Sequence, residues 1–351
     1  MRSLSIHRYC TPADYSILNV PKPEIKASDD ILIEVHAASI NPVDVKVASG
    51  VAKMVRSETF PYKIGYDVSG VVIAVGPAVS SRFKPGDEVY SCVPERCRGT
   101  VSEFALSTAA ATALKPKQLS HVQAGSLPLV SLTALQALDA ADVELEGGLE
   151  GRTVYIPGGL SGVGTVAIQL AKNIFKVDTV ITTLSPAKIA KVHEIIGHGI
   201  VDQIIDYTKN DPAKVIPKGS VDFMFDTMGG AMGALSVMKP GGMIITIASL
   251  PFGPDLRRVM PDLPVVARWA FDAVGSIAQR RASRYKVRYS YLFAHESGKD
   301  LERLADWLDQ AMVRPVIGRV TCLSNLAGIK DGAQEVFDGK GGIGKFVVEV
   351  K

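Results

Sequence analysis

Residues 153–172 read TVYIPGGLSGVGTVAIQLAK, and the fold of the chain follows from how that stretch changes character. A short β-branched run, Val154-Tyr155-Ile156, meets a glycine-dense turn from Pro157 to Gly164. Apolar residues then recur at Val163, Val166, Ala167, Leu170, Ala171 and Ile174, the spacing of one helix face. Strand, glycine turn and helix, in that order, present free backbone N–H groups and a positive helix end to a phosphate. Glycine suits the turn because a side chain would hold a pyrophosphate away from the backbone. The spacing is looser than GxGxxG and also fits a βα turn without a ligand, so the rest of the chain has to decide.

At 351 residues the chain exceeds the roughly 250–300 at which one core stops growing, so two domains are expected. Hydrophobic residues at 47% and charged residues at 21% describe a globular protein, not a disordered or fibrous one. A net charge of +3 argues against a nucleic-acid partner. No apolar run approaches the ~18 residues of a membrane span, so no transmembrane segment is expected. The start, MRSLSIHRYC, has no apolar signal-peptide core, and the four cysteines (Cys10, Cys92, Cys97, Cys322) suit reduced thiols; the expected location is cytoplasmic.

Working outward, Leu4 to about Ala124 is β in character. Runs such as 31–35, 71–75 and 88–90 are separated by Gly, Pro and Asp turns, among them Lys84-Pro85-Gly86-Asp87. A small barrel or sandwich is expected there. From Ser120 the texture changes to a largely apolar helix pair around Pro128 and an acidic, glycine-rich link, 144–148. Strands then alternate with helices through residue 247, the βαβ rhythm of a doubly wound parallel sheet in an α/β protein. A strand at 289–293 and an amphipathic helix at 300–312 follow, and the end of the chain returns to strands that are expected to rejoin the N-terminal domain.

In this order, Asn41-Pro42-Val43-Asp44, Gly65-Tyr66-Asp67-Val68-Ser69-Gly70, 83–89, Leu132-Thr133-Ala134, Gly162-Val163-Gly164 and Gly344-Lys345 resemble the medium-chain dehydrogenase/reductase superfamily over essentially the whole length. Within it the chain is most similar to zinc-independent quinone oxidoreductase-like enzymes and to fungal trans-acting enoyl reductases. The resemblance implies a discontinuous GroES-like β-barrel domain, 1–125 with 315–351, around a Rossmann NADP(H)-binding domain, 126–314.

A dinucleotide site reads its ribose about 20 residues past the glycine turn, where an acid selects NAD. Here that place is 182–188, TTLSPAK, without a carboxylate. Ser185 and Lys188, a hydroxyl and an ammonium three apart at a helix start, suit a 2′-phosphate and predict NADP(H). Taken singly, Ser185 also fits an N-cap and Lys188 a solvated surface lysine. The resemblance adds Tyr207 at the same phosphate. It also implies cofactor contacts from Asp44, Lys46, Ser161, Gly162, Val163, Thr227, Leu250 and Lys345.

Zinc dehydrogenases of the superfamily carry a metal-binding Cys near the Asn41 position and a His-Glu pair near Tyr66-Asp67. This chain has neither, and its six histidines show no ligand spacing, so no metal is expected. Without a Lewis acid, an alcohol is a poor hydride donor. An activated alkene needs only a hydrogen-bond donor at its enolate oxygen. The expected activity is NADPH-dependent reduction of activated C=C bonds in enones or enoyl thioesters. The alternatives are NADPH:quinone reduction and, outside enzymes, a non-catalytic NADPH-binding protein.

Lys46, where simple quinone oxidoreductases carry Tyr, offers a cation to a substrate carbonyl, to ribose hydroxyls or to phosphate, and otherwise reads as an exposed loop lysine. Asn41 and Thr133 are implied hydrogen-bonding groups near the nicotinamide, Thr133 otherwise bonding its own helix turn. Tyr66 is a candidate proton donor, or simply packing. The run 339–345, GKGGIGK, lacks the Ser/Thr of a P-loop and opens a strand instead of a helix. Asp222 and Asp226 flank a buried strand without a glycosidase-like partner.

The stretch from Asp255 to Arg288 is basic. Arg257, Arg258, Arg268, Arg280, Arg281, Arg284, Lys286 and Arg288 face only Asp255, Asp262 and Asp272, interleaved with apolar residues. An amphipathic basic helix beside the expected substrate cleft fits a pocket wall, docking of an acidic acyl carrier protein, or contact with an anionic membrane. The resemblance allows a monomer or a homodimer paired through the strand at 289–293.

Overall fold

The computed structural model describes residues 1–351 except 52, 54–56, 255, 257–259, 261–262 and 340–341. Asp255, Arg257, Arg258 and Asp262 of the basic stretch, and Lys340 and Gly341 of the P-loop-like run, therefore lie outside the described residues. The chain divides into two compact units. Met1–Leu132, His295–Ala311 and Pro315–Lys351 form the first; Thr133–Ala294 and Met312–Arg314 form the second.

The first unit opens with β1 (Arg2–Ile6), β2 (Ser16–Asn19), β3 (Asp30–Ile40) and β4 (Tyr62–Lys63), and continues with β5 (Asp67–Val75), β6 (Glu88–Cys92), β7 (Phe104–Thr108) and β8 (Thr112–Leu114). Helices α1 (Pro42–Ala48) and α2 (His121–Gly125) belong to the same unit, and α3 (Pro128–Glu144) carries the chain into the second. The second unit holds β9 (Thr153–Pro157), α4 (Gly162–Asn173), β10 (Thr179–Leu184), α5 (Pro186–Ile189), β11 (Gln203–Asp206), β12 (Val221–Asp226), β13 (Met238–Thr246) and β14 (Arg288–Tyr291). β15 (Ile317–Cys322) and β16 (Lys345–Glu349) return to the first.

In the first unit β3 is the spine: it pairs antiparallel with β5, β7 and β16, in a sheet ordered β15-β16-β3-β5-β6-β8. A smaller sheet, β2-β1-β4, is also antiparallel. The register Phe346↔Ile40 sets Lys345, the first residue of β16, beside the end of β3. The helix Gly298–Asp309 groups with this unit, whereas the sequence places 126–314 in the nucleotide-binding domain. Its buried Leu301, Leu304 and Leu308 explain the difference, as do the Tyr90 hydroxyl donating to the Leu301 carbonyl and an Arg82–Glu302 ion pair at 2.6 Å.

The second unit is a six-stranded sheet ordered β11-β10-β9-β12-β13-β14, parallel at every pairing. All six residues of β12 are buried, the continuous burial of a strand covered on both faces. From β9 the chain steps to β10 and β11 on one side, then to β12, β13 and β14 on the other. Such a reversal opens a crevice at the carboxyl ends of the central strands, where doubly wound sheets bind ligands. The molecule is thus α/β, with a Rossmann-type parallel sheet in one unit and antiparallel sheets in the other.

Candidate active site

The glycine turn leads from β9 into α4. Ser161 is the N-cap, its Oγ accepting from the Gly164 amide at 3.1 Å, while its own amide donates to the Gly158 carbonyl at 2.8 Å. The Gly158 and Gly159 amides donate to the hydroxyls of Thr183 and Thr182, at 3.1 and 3.0 Å. The amides of Gly162 and Val163, the first two positions of α4, have no acceptor among the described residues. With the helix dipole behind them they form an anion site of the kind that holds a pyrophosphate.

Packing alone requires three of these glycines. Gly158 has a φ of 68°, and a Cβ on Gly164 would lie 2.4 Å from the Gly158 carbonyl oxygen. One on Gly159 would lie 2.3 Å from the Thr182 hydroxyl. The hydroxyl of Ser161, a sequence-level cofactor contact, is engaged in the cap.

Around this turn the carboxyl ends of the neighbouring strands carry the other nucleotide candidates. After β10, Ser185 is the N-cap of α5, yet its hydroxyl makes no capping hydrogen bond. Lys188, half-buried within α5, has its pKa lowered by burial, so an approaching anion finds an ammonium short of solvation. Tyr207 lies one residue beyond β11 and is 56% exposed. Beyond β12 the Thr227 hydroxyl donates to the Pro157 carbonyl at 2.6 Å, tying the two loops together. Leu250, in the loop after β13, is 52% exposed.

Asp226 is an organiser of this edge. Its buried carboxylate accepts from the amides of Gly229 and Gly230 at 2.8 and 2.9 Å, from that of Ala231 at 3.2 Å, and from the Thr246 hydroxyl at 3.0 Å. Asp222 sits at the opposite end of β12. It accepts from Lys239 at 2.7 Å, from Arg152 at 3.1 Å and from the Thr153 amide at 3.0 Å. Burial alone would raise its pKa, but these donors hold it below the usual carboxylate range. Each aspartate is committed to structure.

In the first unit a buried polar group gathers around Asp67, a residue of the 65–70 motif to which the sequence assigns no site role. Its Oδ2 accepts from the Ser39 hydroxyl and the Asn41 amide, both at 2.7 Å, and its Oδ1 from the Leu129 amide at 2.7 Å. Lys345 Nζ lies 3.4 Å from the same carboxylate and donates to Asn41 Oδ1. Asp44 closes the capping box of α1, its carboxylate accepting from the backbone amides of Asn41 at 2.7 Å and Gly65 at 3.0 Å. Burial pushes its pKa up to about 7 despite these two donors. Burial likewise lowers that of Lys345, against the opposing pull of Asp67 and Asp44.

Asn41, Asp44 and Lys345 are therefore brought together, but their hydrogen bonds are turned inward. Lys46 is not part of the group: it is exposed in the last turn of α1. The Tyr66 hydroxyl donates to Glu95 at 2.6 Å, and burial raises its pKa well above the ordinary tyrosine value, which disfavours it as a proton donor. Thr133, buried in α3, belongs to the second unit. The signal for Asp67 was available in the sequence, as the one charged residue of the run DVSGVVIAV, whose only other polar side chain is Ser69.

This donor set does not fit a zinc ion. Among the described residues no three His, Cys, Asp or Glu side chains gather as metal ligands. An ammonium of the chain itself, Lys345, contacts both Asn41 and Asp67, near which the resemblance implies the ligands of zinc dehydrogenases.

Two family models match: the alcohol dehydrogenase GroES-like domain over residues 27–119 and the zinc-binding dehydrogenase over residues 200–348. The chain is 32% identical over 318 residues to the mitochondrial NAD(P)H oxidoreductase RTN4IP1 of Mus musculus, covering 86% of this chain and 78% of that protein. It is 36% identical over 248 residues to the chloroplastic NADPH-dependent alkenal/one oxidoreductase of Arabidopsis thaliana, covering 69% and 61%. Among solved structures, the quinone oxidoreductase from Coxiella burnetii superposes with a TM-score of 0.80 at 28% identity, covering 100% of this chain and 99% of that one.

Proposed function

The chain belongs to the medium-chain dehydrogenase/reductase superfamily, and on that premise we propose that it is a zinc-independent NADPH-dependent reductase of activated C=C bonds. When bound, NADPH would supply the hydride that adds to the β-carbon of an enone or enoyl thioester, and a proton taken up from water at the α-carbon would complete the reduction. The amides of Gly162 and Val163, with Ser161 fixing the turn, hold the pyrophosphate. Ser185, Lys188 and Tyr207 hold the 2′-phosphate, and Thr227 and Leu250 flank the dinucleotide at the ends of β12 and β13. In the first unit, Asn41, Asp44 and Lys345 form the rigid base of α1, which presents Lys46 to solvent as the available cation for a substrate carbonyl or a cofactor phosphate. Thr133 is the proposed hydroxyl donor of the second unit, with Tyr66 kept as a packing residue held by Glu95.

The observation that supports this reading is the chemistry of the donor set: the Asn41 amide, the Asp67 carboxylate and the Lys345 ammonium engage one another near the positions for which the resemblance implies the ligands of a zinc enzyme. Such a set favours a substrate already polarised by its own conjugated carbonyl. Names of relatives agree, since the Arabidopsis protein is an alkenal/one oxidoreductase. The similarity to a quinone oxidoreductase supports quinone reduction as the second reading.

No helix among the described residues is long and apolar enough to cross a membrane. The four cysteines are free, which supports a reducing compartment, proposed as the cytoplasm, although relatives are named mitochondrial or chloroplastic. A homodimer is proposed through β14, which among the described residues has a partner strand on one side only.

The test is anaerobic mixing with NADPH and, in turn, an alkenal, an enone, a free and a carrier-bound enoyl thioester, and a quinone. Cofactor oxidation with the alkenal or enone and slower turnover of the quinone is the expected result. Oxidation by the quinone alone replaces this reading with the second. Binding of NADPH without turnover of any substrate reduces the chain to a nucleotide-binding protein, and a loss of activity on zinc chelation removes the metal-free chemistry.

A further inference from the structure

The helix Val265–Ser283 in the second unit carries 19 residues, of which only Gly275 and Ala282 are buried. Those two, seven apart, mark its inner line. A Cβ on Gly275 would lie 2.2 Å from the Phe252 ring, so Phe252 is pressed against the helix backbone there. Ala282 packs with Phe252, Val287 and Tyr289 in the core. The inner face is thereby fixed, and the outer face follows from helical spacing. It carries Val266, Trp269 and Ile277, which are 75%, 68% and 66% exposed, and then Arg280, Arg281 and Arg284.

The single acid of the helix, Asp272, does not lie on that face: its carboxylate accepts from the Gly253 amide at 3.2 Å. Asp272 and Arg268 instead line a cavity of about 500 Å³ with Phe252 and Pro254. An exposed apolar ridge some eleven residues long, roughly 16 Å, thus ends in three arginines with no carboxylate among them.

We infer that this face is a contact site for an anionic lipid surface, with Val266, Trp269 and Ile277 entering the headgroup boundary and the three arginines on lipid phosphates. A second copy of the chain meeting this helix with the same helix would bring arginine against arginine, without an acid on the described face to pair it. A single convex ridge suits a plane better than a groove, and an exposed tryptophan, apolar in body with a polar N–H, suits the headgroup level. The helix is too charged to span a bilayer, so the contact is peripheral.

The experiment uses the full chain with the second tryptophan removed (Trp307→Phe), sedimented with phosphatidylcholine vesicles or with vesicles containing one third phosphatidylglycerol. Binding to the anionic vesicles only, weakened by salt and accompanied by a blue shift of Trp269 emission, is the expected result. At about fivefold per arginine, R280Q/R281Q/R284Q should lower partitioning roughly 100-fold, with an unchanged thermal midpoint as the folding control. Ile277→Ser should weaken binding and leave the charge contribution intact. Failure to bind anionic vesicles overturns the inference, as does binding that the triple variant retains. A dimer dissociated by Ile277→Ser assigns the face to a second copy instead. Binding of an acidic acyl carrier protein, lost in the triple variant, without vesicle binding assigns it to a protein partner.

Discussion

Lys188 and Ser185 are where cofactor choice is expected to be written. An acid at the end of β10 would accept from a ribose hydroxyl; a hydroxyl and a half-buried ammonium there suit a phosphate. Charge-assisted hydrogen bonds contribute about 1.5–3 kcal/mol. Lys188→Ala should therefore weaken NADPH binding roughly 10–100-fold and leave NADH nearly unchanged, as read by fluorescence titration of both cofactors. An equal loss for the two would remove the phosphate role. A second residue-scale prediction concerns Lys345, whose ammonium is the cation nearest the fully buried Asp67 carboxylate. Lys345→Met should lower unfolding free energy by about 3–5 kcal/mol in urea, because it strands a buried charge. A loss below about 1 kcal/mol would mean that Ser39, Asn41 and the Leu129 amide suffice for Asp67.

Among the elements, the β9–turn–α4 unit is held by contacts too close for a methyl group. Gly164→Ala puts Cβ 2.4 Å from a backbone carbonyl, so the turn must open. The expected outcome is a loss of about 1–3 kcal/mol in stability and weaker binding of NADPH and NADH alike, since the pyrophosphate amides move for both. Gly233→Ala, where the nearest atom lies 3.5 Å away, is the control and should stay within about 0.5 kcal/mol of the parent. This unit was legible in the sequence because local signals carry it: β-branched residues, then glycine, then an apolar period near 3.6. The Asp226 loop anchor was not legible. Its acceptors are satisfied by amides three to five residues on, a geometry that an Asp-Thr-Met-Gly-Gly run permits without announcing. The polar group of the first unit was harder still. Gly344-Lys345 marks the start of a strand, but only the pairing of β16 with β3 brings Lys345 to Asn41, 304 residues earlier. Strand partners are set by long-range burial, which periodicity does not encode.

At the scale of the whole molecule, the buried Asp44 and the partly buried His121 of the first unit set opposing trends of stability with pH. Asp44 titrates near 7 when folded, against about 3.8 for an ordinary aspartate, because burial disfavours its charge. The folded state thus holds its proton more tightly, and the stability that Asp44 contributes is present at low pH and lost as pH rises through 7. His121 runs the other way. Burial first, and then the neighbouring His36, lower its pKa to about 4 from 6.5, so its contribution is present above 6.5 and lost as pH falls towards 4. His36, also lowered by burial, adds to the histidine side. Between pH 5 and 6.5, above the range where surface carboxylates take up protons, the two trends overlap with opposite slopes. Each one is worth about 1.4 kcal/mol per pH unit. Removing either should unmask the other. His121→Gln should gain stability on acidification relative to the parent, by about that slope, and Asp44→Asn should lose it by a similar amount. Urea unfolding at half-unit steps of pH reads both. Because slopes are compared and not absolute stabilities, the cost of losing the Ser69–His121 or Gly65–Asp44 hydrogen bond does not enter. If the two variants keep parallel profiles, neither group titrates where its burial requires.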